Sequence, residues 1–420
     1  MLEKVEEAIK RIESGDVDEG LSLLQEVVSR GDAEARFQAA FVYQELGHAN
    51  ETVAIVDNLL DEFPGEGSLL TLKAEAAIDL GDEDTAIGSL EQIDANDEVF
   101  VESLMLLADL YQLQGLEEVA EQKLLLAYEH APDEAVLLAG IGSYYVERGN
   151  YQKAIPFLKQ AVANGFDLEE ANLSLMLAEA YSGTGAFETA LSYYEQAIDE
   201  RAEPRALFGY GLTALRADDS TLAIEQLEAL REKDPAYSSL YLPLIEAYEK
   251  ENKIGLAKEV ADAGILQDEE NEQLYVVKSR LEQDDQPDLA KPDLYRALEL
   301  NPGNFQAAKS LLDLLFEEEE TEEMYRVIEK LRDAGEEDPL YTYYKGKAKH
   351  LEDEVEEALV LYEEVRNEIR NDGEAMEEFG YLLIENGRRK DGFEALRQAV
   401  ILQEDNAGLA AYVERLIQED

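Results

Sequence analysis

The chain has 420 residues, 45% of them hydrophobic, with no cysteine, no tryptophan and three histidines. The missing cysteines exclude disulfides, thiolate metal sites and cysteine nucleophiles. Thirty-six Lys and Arg stand against 96 Asp and Glu, a net charge of −60, which disfavours nucleic acid and anionic membrane surfaces.

In chain order, the opening segment "MLEKVEEAIKRIESGD" is charged throughout. It lacks the apolar stretch and cleavage site of a signal peptide. No later run is long and apolar enough to span a bilayer, so the expected location is the cytoplasm. Paired helical patterns follow at a regular interval. In "VFVESLMLLADLYQLQG", Leu104, Leu107 and Tyr111 recur at helical spacing, Gly115 breaks the helix, and the next stretch puts Val119, Leu124 and Ala127 on one face before Pro132. The segments "GNYQKAIPFLKQA" and "GAFETALSYYEQA" share one frame, with Ala154 and Ala190 in equivalent places. Walked along the chain, that frame falls at Gly20, Thr52, Ala86, Ala120, Ala154, Ala190, Ala223, Ala257, Ala290, Met324, Ala358 and Gly392, in steps of 32 to 36 residues. Glycines at 47, 81, 115, 149, 185 and 387 and prolines at 64, 132, 235 and 302 punctuate the same phase. Such periodicity predicts about twelve helix–turn–helix units over residues 1–405, not separable into independent domains, and a capping helix over 406–420. One unit cannot bury its apolar face alone, so the units must stack.

The spacing resembles the tetratricopeptide repeat, W-x2-L-G-x2-Y followed by A-x3-F-x2-A and Pro. The clearest unit runs from Glu134 to about Asp167, with Leu138 at the tryptophan place, then Ile141-Gly142, Tyr145, Ala154, Leu158 and Ala161. The unit carrying Leu104, Leu107, Ala108, Tyr111, Ala120, Leu124, Ala127 and Pro132 is similar. The signature tryptophan is absent throughout, and the first unit and the one around Met324 are degenerate. The resemblance covers the whole chain and implies an all-α fold, a right-handed superhelical α-solenoid. The stretches "MLLADLYQLQGLEEVAEQKLL", "FGYGLTAL" and "DPAYSSLYLPL" are further similar to a bacillar group of acidic, cytoplasmic repeat proteins of comparable length. That group implies a non-enzymatic protein, without cofactors, whose partners are proteins or peptides.

Local motifs are absorbed by the repeat. "FGYGLTAL" (208–215) lacks the third glycine and the preceding strand of a dinucleotide fingerprint. Gly211 stands 12 residues before Ala223, as Gly142 stands before Ala154, so both read as small packing positions; Gly209 is expected to leave a groove wall shallow. The acidic run at 317–323 falls at a turn and does not match a calcium loop. His48, His130 and His350 read as surface or helix-end residues. The resemblance places the first helix of each unit on the concave face. The phase then predicts exposed groove residues Phe37, Phe41, Phe208, Leu212, Tyr275, Phe316, Tyr343 and Tyr381; a slip of one residue would make them core. Arg205 and Arg216 flank Phe208 and Leu212, the one predicted place where cations and bulky apolar groups meet. Elsewhere these positions are mostly Glu, Asp, Ser or apolar, which disfavours binding of a terminal carboxylate. The expected function is a scaffold that holds a protein or extended peptide in its groove, with the acidic rims attracting basic segments. The alternative is a peptide-sensing regulator without its own DNA-binding domain.

Overall fold

A computed structural model describes residues 1–166, 172–283 and 287–418. Asp167, the expected end of the clearest unit, and the last two residues of the expected cap lie outside the described residues. Among the described residues there are 26 α-helices, one short 3-10 turn at Ser238–Leu240, and no strand. The chain forms two compact bodies, residues 1–209 and 210–420.

In the first body the helices pair as Leu2–Glu13 with Val17–Arg30, Ala33–Glu45 with Ala49–Glu62, and Gly67–Asp79 with Glu83–Leu90. Phe100–Leu113 with Glu117–His130, Ala135–Glu147 with Tyr151–Ala163, and Leu173–Gly183 with Phe187–Glu200 continue the series. The helix Pro204–Arg216 runs through the division and is followed by Ser220–Lys233. In the second body Tyr241–Lys250 pairs with Ile254–Gln267, Glu272–Glu282 with Pro287–Leu300, and Phe305–Glu317 with Thr321–Asp333. Pro339–Leu351 pairs with Val355–Glu364, which is extended by the short helix Arg366–Ile369; Gly373–Glu385 pairs with Arg389–Leu402, and Ala407–Gln418 comes last.

Three local devices recur among the pairs. The first is a cap: Asp32, Asp82, Asp219, Asn304 and Asp338 accept hydrogen bonds from the first-turn amides of the helices they precede, satisfying donors that the helix itself leaves open. The second is a left-handed residue between the two helices of a pair, such as Gly81 at φ +74° and Gly115 at φ +72°, where a β-carbon would be strained. The third is the small residue of the second helix. Ala86, Ala120, Ala154, Ala190, Ala223, Ala257, Ala290 and Ala358 have no exposed surface, because the first helix crosses close over them. Thr52 fills that place by donating its hydroxyl to Ala40 O at 3.3 Å and His48 O at 3.2 Å. Met324, also fully buried, marks the irregular tenth pair.

The glycines of the first helices answer to the same crossing. A β-carbon on Gly211 would lie 2.6 Å from Leu227 Cγ, and one on Gly142 would overlap Leu158. Gly209 departs from expectation. A β-carbon there would stand 2.8 Å from Tyr194 Cε1, so the residue admits the buried Tyr194 ring instead of thinning a groove wall.

Candidate functional site

The predicted groove residues divide by burial. Phe41 is 47% exposed. Phe37 is half-buried against the apolar cluster around Leu59, and Phe208 and Leu212 are half-buried. Tyr275 and Tyr343 are corrections: they are 9% and 8% exposed, not solvent-facing. Tyr275 turns its hydroxyl to Glu269 O at 3.3 Å, and Tyr343 turns its hydroxyl to Glu378 of the next first helix at 2.7 Å. Both sit fifteen residues before the small residue of their unit, a place a bulky neighbouring unit can cover. Tyr381 is half-buried, edge-on to Tyr412 with ring centroids 5.4 Å apart.

Arg205, Phe208, Leu212 and Arg216 all lie on the helix Pro204–Arg216, the first two in the first body and the last two in the second. Arg205 is engaged: its Nε and Nη2 donate to Glu179 at 2.6 and 2.7 Å. Arg216 is exposed at the helix end.

Two of the predicted residues, Phe316 and Tyr343, are brought together by a lysine that sequence reasoning passed over. Lys347 has a side chain 9% exposed and pairs with Glu378 Oε1 at 3.0 Å. Its ammonium lies 4.0 Å from the Phe316 ring centroid and 5.4 Å from those of Tyr343 and Tyr344, a geometry in which ring faces stabilise a cation. Glu378 Oε2 also accepts the hydroxyls of Tyr343 and of Tyr362, the latter at 3.0 Å; Tyr344 donates to Asp313. Burial, and then these carboxylates, push the phenols of Tyr343, Tyr344 and Tyr362 well above their usual range, so they remain neutral donors.

Above this network lies a cleft of about 430 Å³ in the second body. It is built from three successive first helices, Phe305–Glu317, Pro339–Leu351 and Gly373–Glu385, with Glu368 and Ile369 of the short helix closing one side. Tyr343, Tyr344 and Lys347 line its floor, and Phe305, Lys309 and Leu340 its walls. Phe305 is 49% exposed. Lys309 is exposed and makes no ion pair with any described residue. The signal that could have found Lys309 and Lys347 was the phase itself: they stand fifteen and eleven residues before the small position, where the prediction looked for apolar side chains. Among the described residues no group of three or more His, Asp or Glu side chains is arranged to hold a metal ion, and no helix is long and apolar enough to cross a membrane.

Comparison with known proteins agrees with this architecture. Residues 112–166 match the family model of YpiA-like tetratricopeptide repeats, and residues 175–238 match a general tetratricopeptide-repeat model. Among solved structures, the peptide-binding repeat protein YrrB is 15% identical, with a TM-score of 0.39 over 44% of this chain and 96% of its own. The C-terminal part of a repeat protein from Cytophaga hutchinsonii is 16% identical, with a TM-score of 0.43 over 66% of this chain and 99% of its own. The repeat-containing protein YpiA of Bacillus subtilis is 35% identical over 416 residues, which span 99% of this chain and 98% of that protein. With helix pairs at the repeat phase from end to end and identity of this extent, the chain belongs to the YpiA-like family of tetratricopeptide-repeat proteins.

Proposed function

We propose that the protein is a non-enzymatic scaffold of the cell interior that binds a protein or peptide on its first-helix face. The observation that carries this reading is the cleft of the second body. Its floor is rigid, because buried aromatic rings and a satisfied Lys347–Glu378 pair hold it. Its walls offer an exposed aromatic ring and an unpaired cation. Preformed apolar pockets with a few placed polar groups are what peptide anchors require. YrrB, described as a repeat protein with an unusual peptide-binding site, illustrates the use but lends no detail.

The test is selection of a random peptide library on the full chain. Enriched peptides should lose affinity about tenfold or more when Phe305→Ser and Leu340→Asp are introduced together, the scale of losing a hot-spot residue. Folding of the variant is checked by circular dichroism. A library that enriches nothing on the folded wild-type chain overturns the reading.

A further inference from the structure

The first body presents a second, chemically different face. Along its first helices Phe41, Leu113 and Val136 are 47%, 75% and 52% exposed, and Met105 and Leu106 are half-buried beside them. Contacts join these helices side by side: Gln44 donates to Asp79 at 2.6 Å, a β-carbon on Gly140 would lie 3.6 Å from Met105 Cε, and Arg148 Nη1 donates to Gln112 at 3.2 Å. The place eleven residues before each small position forms a row: Phe41, Glu75, Asp109, Ser143 and Glu179.

The charge on this face is one-sided. The four first helices between residues 33 and 147 contain two cations, Arg36 and Lys73. Both are turned toward second helices, Arg36 to Glu62 at 2.9 Å and Lys73 to Asp57 at 2.6 Å. The carboxylates stay behind. Glu75 is held above the ordinary range by burial, then by Glu102, Asp79 and Glu45; Asp109 is raised by burial and by Glu147. At the end of the last of these helices Arg148 is held by Gln112 and by Glu117 of a second helix, at 3.6 Å. Apolar surface that remains exposed, lined by carboxylates that outnumber its engaged cations, is complementary to one kind of partner.

We infer that the first-helix face of residues 33–147 docks a cationic amphipathic segment of a partner protein, its apolar side chains against Phe41, Met105 and Leu113 and its lysines or arginines against Glu75, Asp109 and Glu147. The inference rests on the scaffold reading and narrows it to a face of the first body, apart from the cleft of the second body, which has Lys309 and Lys347 among its acids. A lipid surface does not fit, because anionic headgroups would meet a wall of carboxylates. A second copy of this chain brings the same −60 charge.

The experiment is fluorescence anisotropy of three labelled peptides with the full chain: lysine–leucine amphipathic, glutamate–leucine of the same pattern, and lysine–serine of the same charge. The lysine–leucine peptide should bind, with the other two at least about tenfold weaker, since charge and anchor both contribute. Glu75→Lys with Asp109→Lys should abolish binding. Glu118→Lys with Glu129→Lys, the same charge change at exposed places on the second helix Glu117–His130, should leave it nearly unchanged. Equal losses in both double variants would mean that net charge alone binds the peptide, and would overturn the inference. So would unimpaired binding by the first variant, or a concentration-dependent dimer that this variant dissolves, which would give the face to a second copy. Library peptides sensitive to Phe305→Ser, together with a lysine–leucine peptide that does not bind, leave the scaffold reading standing while this inference fails; a library that enriches nothing removes both.

Discussion

At the scale of single residues, the turn between the two helices of a pair is the most demanding position. Gly47, Gly81, Gly115, Gly149, Gly185 and Gly387 hold it with positive φ, but Asp218, Asn252, Glu319 and Asp353 hold the same place at φ +61°, +54°, +58° and +64°. Asn and Asp tolerate this conformation because their short side chains bond locally. Glu has no such relief, and it sits in an acidic run, 318–320, that already draws on Lys291 for neutralisation. Glu319→Gly should therefore stabilise the second body by about 1 kcal/mol, the left-handed strain exceeding the entropy that glycine adds to the unfolded chain. Urea unfolding checks it, and a midpoint that falls would show that Glu319 makes interactions worth more than its strain. The glycine turns were legible in the sequence because glycine announces a positive φ. The four substituted turns were not, because Asp, Asn and Glu occur everywhere in so acidic a chain.

At the scale of the element pair, what was legible follows from packing geometry. Outside the tenth pair with Met324, one residue in each second helix is small where the first helix crosses it, and Ala86, Ala120, Ala154 and their equivalents printed the repeat length directly. Exposure was less legible, because it depends on the bulk of the next unit. Tyr343 was expected in solvent, yet it is covered where Glu378, Lys347 and Tyr362 close over it. The pair Glu272–Glu282 and Pro287–Leu300 holds the opposite case, a buried charge that is poorly served. Glu282 is 7% exposed and its Oε2 has no hydrogen-bond partner. Lys278, the nearby cation, is shared between Asp262 at 2.8 Å and Asp293 at 3.5 Å. Burial raises the carboxyls of both Glu282 and Asp293, Lys278 opposing it in each. An acid whose folded pKa is raised penalises folding above that pKa and ceases to do so below its unfolded value. Stability of this region should thus increase as pH falls from neutrality toward the ordinary carboxylate range. Glu282→Gln should raise the urea midpoint at pH 7 and flatten the dependence below it. A midpoint that drops with Glu282→Gln would mean that the carboxylate is needed by Lys278.

At the scale of the whole molecule, 96 carboxylic acids share 36 strong cations, so most carboxylates must be satisfied by something else. Water serves the exposed ones. At partly buried places the chain uses tyrosine: Tyr145 donates to Glu121 at 2.6 Å, Tyr248 to Glu228 at 2.7 Å, Tyr295 to Glu323 at 2.8 Å and Tyr325 to Glu352 at 3.1 Å. The phenols respond as neutral donors should, those of Tyr248 and Tyr325 pushed up to about 12, by burial first and then by these carboxylates. Tyrosine hydroxyls thus satisfy acids without adding the long, exposed side chains of lysine. They do nothing to lower the net charge, however, and the remaining repulsion acts across each body at distances that salt can screen, the Debye length falling to about 10 Å at 0.1 M ionic strength. The ion pairs that salt would weaken are mostly exposed, and such pairs contribute about 0–1 kcal/mol each. Repulsion should therefore dominate the response, and thermal unfolding should move to higher temperature as sodium chloride is added. The discriminating measurement sets sodium chloride against sucrose at matched osmolality, since sucrose strengthens burial without screening charge. A large rise with salt and a small one with sucrose assigns the effect to screened carboxylates. A falling transition temperature in salt would show instead that the ion pairs, Lys347–Glu378 and Lys278–Asp262 among them, outweigh the repulsion of the unpaired acids.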